Sequence, residues 1–251
     1  PQARGRSRNA AGLWADDVPV LRSTPAAQLA TSRLSGCYPL VRNNGDEPHA
    51  IHGVGWQRPW TELDSDAGSA MLAYEHRPDA AWPFAFDCSH TLRLTARGLE
   101  MTLALTNQSD RPAPAGLGWH PYFHKRPGSR IAFYAQGRWE MGPDKLPTRR
   151  VPSRGEDADC ATLDVDHCYD GWDGVVHLRD DALALRVTSP LTRVVVFNSP
   201  TRDYYAVEPV SHVNNAVHLH ASGAAADALG LAILRPGDSM MAQMAIEVEP
   251  A

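Results

Sequence analysis

The chain has 251 residues, 43% of them hydrophobic, which suffices for one substantial core and does not require a second domain. Its 24 basic and 29 acidic residues are scattered and give a net charge of −5, so we expect no nucleic-acid partner. No apolar run approaches the roughly 18 residues of a membrane span, and no apolar signal core is visible. We therefore expect a cytoplasmic protein that does not bind membranes.

The first predicted element is a short helix at residues 25–32, because Thr24 can cap it and Pro25 suits a first helical position. Strand patterns follow. Apolar and polar residues alternate through 99–106, and residues 92–95 precede them across a turn at Arg97 and Gly98. These segments predict a β-hairpin.

The second half also predicts strands, at residues 183–188, 194–197 and 204–207. Residues 231–234 and 244–248 flank a Pro-Gly-Asp turn and predict a final hairpin. The run of small residues at 221–228 is interpreted as a surface loop. The sequence therefore predicts an all-β fold of many antiparallel strands, in one domain spanning residues 1–251.

Two candidate proton-transfer groups stand in rigid, aromatic surroundings. His120 precedes Pro121 and follows a Gly-x-Gly segment that would let backbone approach a ligand closely. It suits a general acid near neutral pH, and it suits a core histidine equally well. Glu208 follows a predicted strand that Pro209 is expected to end, so it is either a base at a pocket mouth or a solvated charge. A histidine and a carboxylate held across a pocket would indicate an enzyme.

A second histidine, His52, lies four residues before Trp56, and imidazole with indole is a common sugar-binding combination. A metal site is the competing interpretation, in which the ligands would be His49, His52, His218 and His220. The run from His218 to His220 lacks the glutamate that follows in a cupin, so we expect no metal and no cofactor.

Residues 166–174 crowd three carboxylates with two aromatic side chains. This segment is expected to be a loop that either binds sugar hydroxyls, with Asp166 among the ligands, or serves as ordinary turn chemistry. The four cysteines show no paired spacing, so neither a disulfide framework nor a zinc site is indicated.

Taken in order, several segments resemble the aldose 1-epimerase (galactose mutarotase) family. They are residues 49–53 with Trp56, 116–123, 166–169, 208–216 and the turn at 234–239. Each is weak alone, but together they cover the chain from about residue 37 to its end, and their order is specific.

The resemblance implies a large antiparallel β-sandwich, called a supersandwich, with a sugar bound in a cleft on one sheet. It implies that His120 is the general acid and Glu208 the general base. The side chains implied to contact the sugar are His52, Trp56, Tyr122 and Asp166. Glu208 would take a proton from the anomeric hydroxyl while His120 protonates the ring oxygen, and each transfer is typically worth about 10²–10⁴-fold. The expected partner is a small sugar, and the expected assembly is a monomer or homodimer.

One segment departs from the family pattern. Members usually carry an Asn-Arg pair and a further hairpin before the His-Gly motif, whereas here Val41 runs directly into Arg42 and Asn43. Either that hairpin is deleted, or a stretch of sequence is missing at this point. If the arginine is absent, sugar binding there must differ unless Arg42 replaces it. Three functions therefore stay open: an epimerase of free sugars, an epimerase of sugar phosphates, and a catalytically silent carbohydrate-binding or regulatory protein.

Overall fold

A computed structural model describes residues 40–45 and 47–249. The predicted helix at 25–32 lies outside the described residues. Within them, the chain forms antiparallel sheets with very little helix, so the predicted all-β antiparallel fold is confirmed. Strands are numbered β1 to β17 in chain order.

The larger sheet has nine strands in the described part of the chain. In spatial order they are β1 (Thr61–Ser65), β2 (Ser69–His76), β3 (Phe86–Leu94), β4 (Gly98–Asn107), β17 (Ser239–Val248), β13 (Ala184–Thr188), β12 (Val175–Arg179), β7 (Arg130–Phe133) and β10 (Glu156–Asp159).

The smaller sheet has six strands among the described residues and carries the candidate site. In spatial order they are β6 (Tyr122–His124), β15 (Tyr204–Val210), β14 (Arg193–Asn198), β11 (Val165–Asp170), β8 (Gly137–Met141) and β9 (Pro147–Pro152). A separate pair is formed by β5 (Ala113–Ala115) and β16 (Ala232–Leu234).

The predicted hairpin at residues 92–106 is confirmed, since β3 and β4 pair with Leu94 opposite Leu99. The alternation in β4 places Met101, Leu103 and Leu105 in the core, while the intervening residues stay partly exposed. The three predicted strands of the second half are also present, as β13, β14 and β15. Period-2 patterning therefore located the half-buried strands well.

The predicted final hairpin is wrong. β16 pairs with β5, whereas β17 pairs with β4 and β13 in the larger sheet. The expected turn is present, with the Asp238 N–H donating to the Arg235 carbonyl at 3.0 Å, but it transfers the chain between sheets. Asn107 stabilises this transfer, because its side chain donates to the Leu234 carbonyl at 2.9 Å and its backbone N–H to the Asp238 carbonyl at 3.0 Å.

The predicted loop at residues 221–228 is only partly correct, because short helices overlap both of its ends. They are α1 (Ala216–Ala221) and α2 (Ala226–Leu229), and a 3₁₀ turn occupies Gly55–Gln57. Alanine is the strongest helix former, so a run of small residues favours helix as readily as loop. Gly230 ends α2 in a left-handed conformation with φ 67°, the usual role of glycine after a helix.

The two large sheets pack face to face around a shared apolar core. Phe133 of the larger sheet meets Tyr169 of the smaller one edge to face at 4.9 Å, and the Tyr169 hydroxyl donates to Glu156 across the interface at 2.5 Å. Cys88, Cys160 and Cys168 are buried. Among the described residues, no helix has the length and apolarity to cross a bilayer.

Candidate active site

The segment that carries His120 runs antiparallel to β15, the strand that carries Glu208. Gly118 is bridged to Val210, and β6 continues the same register from Tyr122 onward. In that register His120 lies opposite Glu208. One strand pairing therefore brings together two residues that are 88 positions apart in the sequence.

The two side chains are in direct contact. His120 Nε2 lies 3.3 Å from Glu208 Oε1, and the side chains are only 14% and 5% exposed. In this pairing the backbone hydrogen bonds join Trp119 with Pro209 and Leu117 with Ser211. His120 and Glu208 therefore form a pair without backbone hydrogen bonds, the kind of antiparallel pair whose side chains lie closest. We expected the two groups on opposite sides of a pocket; instead they touch.

Pro209 does not end its strand. β15 continues to Val210, so Glu208 lies inside a strand and is buried rather than solvated at a strand end. Pro209 is tolerated because its nitrogen faces the His120 segment, while its pairing with Val194 of β14 keeps the register. On the outer side the Pro209 carbonyl accepts a hydrogen bond from the Trp119 N–H at 3.2 Å.

The Gly-x-Gly segment is needed for close packing, and the approach of its backbone to a ligand stays a prediction. A Cβ on Gly116 would lie 2.1 Å from Cε1 of the His212 ring. A Cβ on Gly118 would lie 2.8 Å from the Val210 side chain. Both glycines thus let the His120 segment lie close against β15.

Aromatic rings surround the His120 imidazole. Tyr122 stacks on it with centroids 4.5 Å apart and rings inclined by 29°, and the Tyr122 hydroxyl lies 3.4 Å from Nε2. His52 meets it edge to face at 4.9 Å, and Trp56 meets His52 in the same manner at 5.8 Å. Three of the other five predicted site residues, Glu208, Tyr122 and His52, therefore contact the His120 imidazole, and Trp56 contacts His52.

The loop that presents His52 is held by Asn43, a residue that sequence reasoning did not select. The Asn43 amide accepts from the Ile51 N–H at 2.9 Å and donates to the carbonyls of Ile51 and Gly53 at 2.7 and 2.9 Å. His52 itself has a left-handed backbone with φ 56°. Arg42, the candidate replacement for the family arginine, is exposed beside it.

Asp166 lies on the same face of the sheet as His120 and Glu208, but it does not take part in their contact. One row across the sheet runs from Asp166 of β11 through Phe197 of β14 and Ala206 of β15 to Tyr122 of β6. With strands about 4.8 Å apart, Asp166 is roughly 10 Å across the sheet from β15. The predicted loop at 166–174 is wrong for its first half, since residues 166–170 form most of β11.

Asp170, at the end of the same strand, is committed to structure. Trp139 Nε1 donates to its carboxylate at 2.8 Å, and the Arg150 guanidinium binds it at 2.7 Å. The four histidines proposed as metal ligands do not converge. His52 contacts His120, while His49 and His220 bond the carbonyls of Asp144 and Ala224 and His218 bonds Asn215. No group of three or more candidate ligands occurs in the described part of the chain.

Two further residues that the sequence did not reveal lie beneath the site. The Leu117 N–H donates to Ser211 Oγ at 2.9 Å, and Ser211 Oγ lies 3.1 Å from His212 Nδ1. His212 is 1% exposed, and burial, helped by nearby Arg193, lowers the pKa of its imidazole to about 3. The glycine at 116 was the available signal, since a glycine opposite a bulky side chain indicates close packing.

A cavity of about 530 Å³ lies elsewhere, between the sheets beside β6. Its walls are mainly leucine, isoleucine, valine and aromatic side chains, and Tyr122 is the one predicted site residue among them. Arg126 and Asp180 in its lining bind each other at 2.7 Å, and neither His120 nor Glu208 lines it. The surroundings of His120 and Glu208 are therefore the better candidate site.

Comparison with known proteins places these features in a family. The aldose 1-epimerase family profile matches residues 30–247. YphB, an uncharacterized protein of Escherichia coli K12, is 29% identical over 276 residues, covering 95% of this chain and 91% of the relative. Because that alignment is longer than the 251-residue chain, the relative carries residues that have no counterpart here.

Solved structures share the fold. The crystal structure of an Escherichia coli K12 protein provisionally named as an aldose 1-epimerase has a TM-score of 0.76 and 26% identity, over 93% of this chain and 84% of that chain. A galactose mutarotase-like protein of Clostridium acetobutylicum has a TM-score of 0.80 and 16% identity, over 95% of this chain and 79% of that one. With the family profile spanning most of its length, the chain belongs to the aldose 1-epimerase family.

Proposed function

We propose that this protein is an aldose 1-epimerase that interconverts the α and β anomers of a hexose or a related free sugar. The observation that carries this proposal is the contact of 3.3 Å between His120 Nε2 and Glu208 Oε1, shielded from solvent on the sheet face that also holds Asp166. An acid and a base that touch can serve the two oxygens of one hemiacetal carbon.

The reaction requires coupled proton transfer. The Glu208 carboxylate accepts the proton of the anomeric hydroxyl, the bond between C1 and the ring oxygen breaks, and the His120 imidazolium protonates that oxygen. The products are an open-chain aldehyde, a carboxylic acid and a neutral imidazole. After rotation about the C1–C2 bond, the C5 hydroxyl attacks the other aldehyde face, its proton returns to His120, and Glu208 protonates the new anomeric oxygen. All atoms and charges are restored without a cofactor.

The surrounding rings orient this pair. Tyr122 stacks on His120 and so limits rotation of the imidazole, and His52 meets the same ring edge to face. Trp56 Nε1 is buried and, among the described residues, has no hydrogen-bond acceptor. Buried donors are normally satisfied, and a sugar hydroxyl would satisfy this one.

Asp166 suits the far end of the sugar. It lies roughly 10 Å across the sheet from the Glu208 strand, on the same face. That separation between the two strands leaves room for about one sugar ring. We infer that Asp166 accepts hydroxyl hydrogens remote from C1, which favours a single hexose over a longer saccharide.

Polarimetry on freshly dissolved sugars tests this proposal. The protein should accelerate the approach to anomeric equilibrium for at least one of α-D-glucose, α-D-galactose and their 6-phosphates, and the preferred sugar identifies the substrate class. Saturable binding measured by calorimetry, without acceleration for any sugar in the panel, would instead establish a catalytically silent binder. The departure from the family pattern near Arg42 is the feature that favours that second function.

A further inference from the structure

The strand pairing that aligns His120 with Glu208 has few backbone hydrogen bonds. Pro121 follows His120 and Pro209 follows Glu208, and proline has no N–H to donate. Both prolines therefore remove a donor from the ladder directly beside the reactive pair. The register at this point must be set by neighbouring residues.

Ser211 supplies most of the bonds that remain. Its backbone N–H donates to the Leu117 carbonyl at 2.8 Å, and its hydroxyl oxygen accepts the Leu117 N–H at 2.9 Å. The next bond along the pairing joins the Trp119 N–H to the Pro209 carbonyl at 3.2 Å. A side-chain oxygen thus replaces a backbone acceptor three residues before His120.

His212 holds that hydroxyl in place. Its Nδ1 lies 3.1 Å from Ser211 Oγ, and the ring is packed against Gly116. Nε2 is buried and has no partner among the described residues. An unsatisfied acceptor costs less than an unsatisfied N–H donor, so the tautomer with Nδ1–H donating to Ser211 is favoured. Its low pKa keeps this ring neutral at the pH of the cell.

We propose that Ser211, oriented by His212, is a positioning residue that fixes the register of the His120 segment on β15. Neither side chain carries out proton transfer on the sugar. The hydroxyl of Ser211 acts through Leu117 and the short backbone run to His120. A slip of one residue would turn His120 to the opposite face of the sheet, and a smaller shift would lengthen its contact with Glu208.

The test compares Ser211→Ala, Ser211→Thr and Ser211→Cys with wild type and with Ser65→Ala, a control on the exposed strand β1. Ser211→Ala removes the acceptor, Thr retains it, and Cys keeps the volume with a weak acceptor. We expect kcat to fall roughly 10- to 100-fold in Ser211→Ala with KM within about twofold, because a small misplacement of a catalytic group has effects of that size. Thr should restore kcat to within about threefold of wild type, and Cys should lie between.

Because this role rests on the proposed function, a second readout avoids turnover. The NMR titration midpoint of the His120 imidazole reports its contact with Glu208, and it should shift in Ser211→Ala and Ser211→Cys but not in Ser65→Ala. Absence of epimerisation in wild type would refute the proposed function, and the titration would still decide the role of Ser211. An unchanged kcat and an unchanged His120 titration in a folded Ser211→Ala protein would overturn the positioning role of Ser211. If Ser211→Ala does not fold, the same comparison is made with Ser211→Cys.

Discussion

His120 and Glu208 face each other across two adjacent antiparallel strands, with Nε2 and Oε1 3.3 Å apart. Residues further along the same ladder include Tyr122, which stacks on the imidazole, and Ser211, which bonds the segment in front of it. One strand pairing thus positions the acid, the base and an aromatic support.

Tyr122 should matter through its ring more than through its hydroxyl. Tyr122→Phe keeps the stacking at 4.5 Å and loses a hydroxyl that is 3.4 Å from Nε2, a weak hydrogen bond, so kcat should stay within about threefold of wild type. Tyr122→Ala removes the ring that limits the imidazole and should lower kcat at least about tenfold. Polarimetric kcat values of both variants check this, and equal losses would show that the hydroxyl is the essential part.

Asp166 should contribute to sugar binding and not to proton transfer. It lies two strands away from Glu208, so Asp166→Asn should raise KM roughly tenfold, the effect of losing about 1.4 kcal/mol of binding, while kcat stays within about threefold. Asp164→Asn, at an exposed position just before β11, is the matched control and should change neither constant. A fall in kcat at unchanged KM would place Asp166 in the chemistry.

Gly116 should tolerate no side chain. Gly116→Ala would place Cβ 2.1 Å from the His212 ring, and overpacking of this kind costs about 1–3 kcal/mol of unfolding free energy or more. At Gly68 the nearest atom to such a Cβ is 3.8 Å away, so Gly68→Ala should change stability by less than about 0.5 kcal/mol. Urea unfolding of both variants measures the difference, and equal stabilities would contradict the close packing.

His212 should make the protein lose stability in mild acid. Its folded-state pKa is lowered from 6.5 to about 3, so the unfolded chain binds a proton that the folded protein does not. The stabilisation is complete above pH 6.5 and decreases as pH falls toward 3, by up to roughly 1.4 kcal/mol per pH unit. Unfolding free energies of wild type and His212→Gln between pH 7 and 4.5 should show a steeper decline in wild type.

The matched control for that slope is His177→Gln, whose side chain is 52% exposed. Its unfolding free energy should decline with falling pH about as steeply as that of wild type, because this substitution leaves the buried His212 in place. If His212→Gln declines as steeply as wild type, His212 does not stay neutral in the folded protein.

The strands and the residues of the site were predictable from the sequence to different degrees. Period-2 patterns located β4 and β13 because apolar residues alternate with polar or small residues in both strands, and in β4 the alternation follows burial. The pattern could not show that the chain changes sheets between β16 and β17, because local periodicity does not record a strand's partner. The same limit hid Ser211 and His212, whose roles depend on Leu117 and Gly116 nearly 100 residues earlier.

The motifs around His120 and Glu208 identified the reactive residues but not their geometry. Pro209 indicated a strand end, yet β15 continues past it. The Pro209 nitrogen faces the His120 segment, and on that side the Pro209 carbonyl still accepts the Trp119 N–H, so the pairing is kept. Asn43 could not be recognised because its amide bonds backbone groups of Ile51 and Gly53, which any residue type supplies. Positions fixed by backbone contacts leave no sequence pattern.

The central claim is that Glu208 and His120 act together as base and acid, and the most direct measurement is polarimetry on Glu208→Gln with its preferred sugar. Gln keeps the shape and removes the base, so kcat should fall at least about 100-fold while the fold is retained, whereas Glu62→Gln on the exposed strand β1 should match wild type. The double variant with His120→Asn should be scarcely slower than either single one, because residues that act as a unit are not additive. A Glu208→Gln protein that epimerises within about threefold of the wild-type rate would contradict the claim.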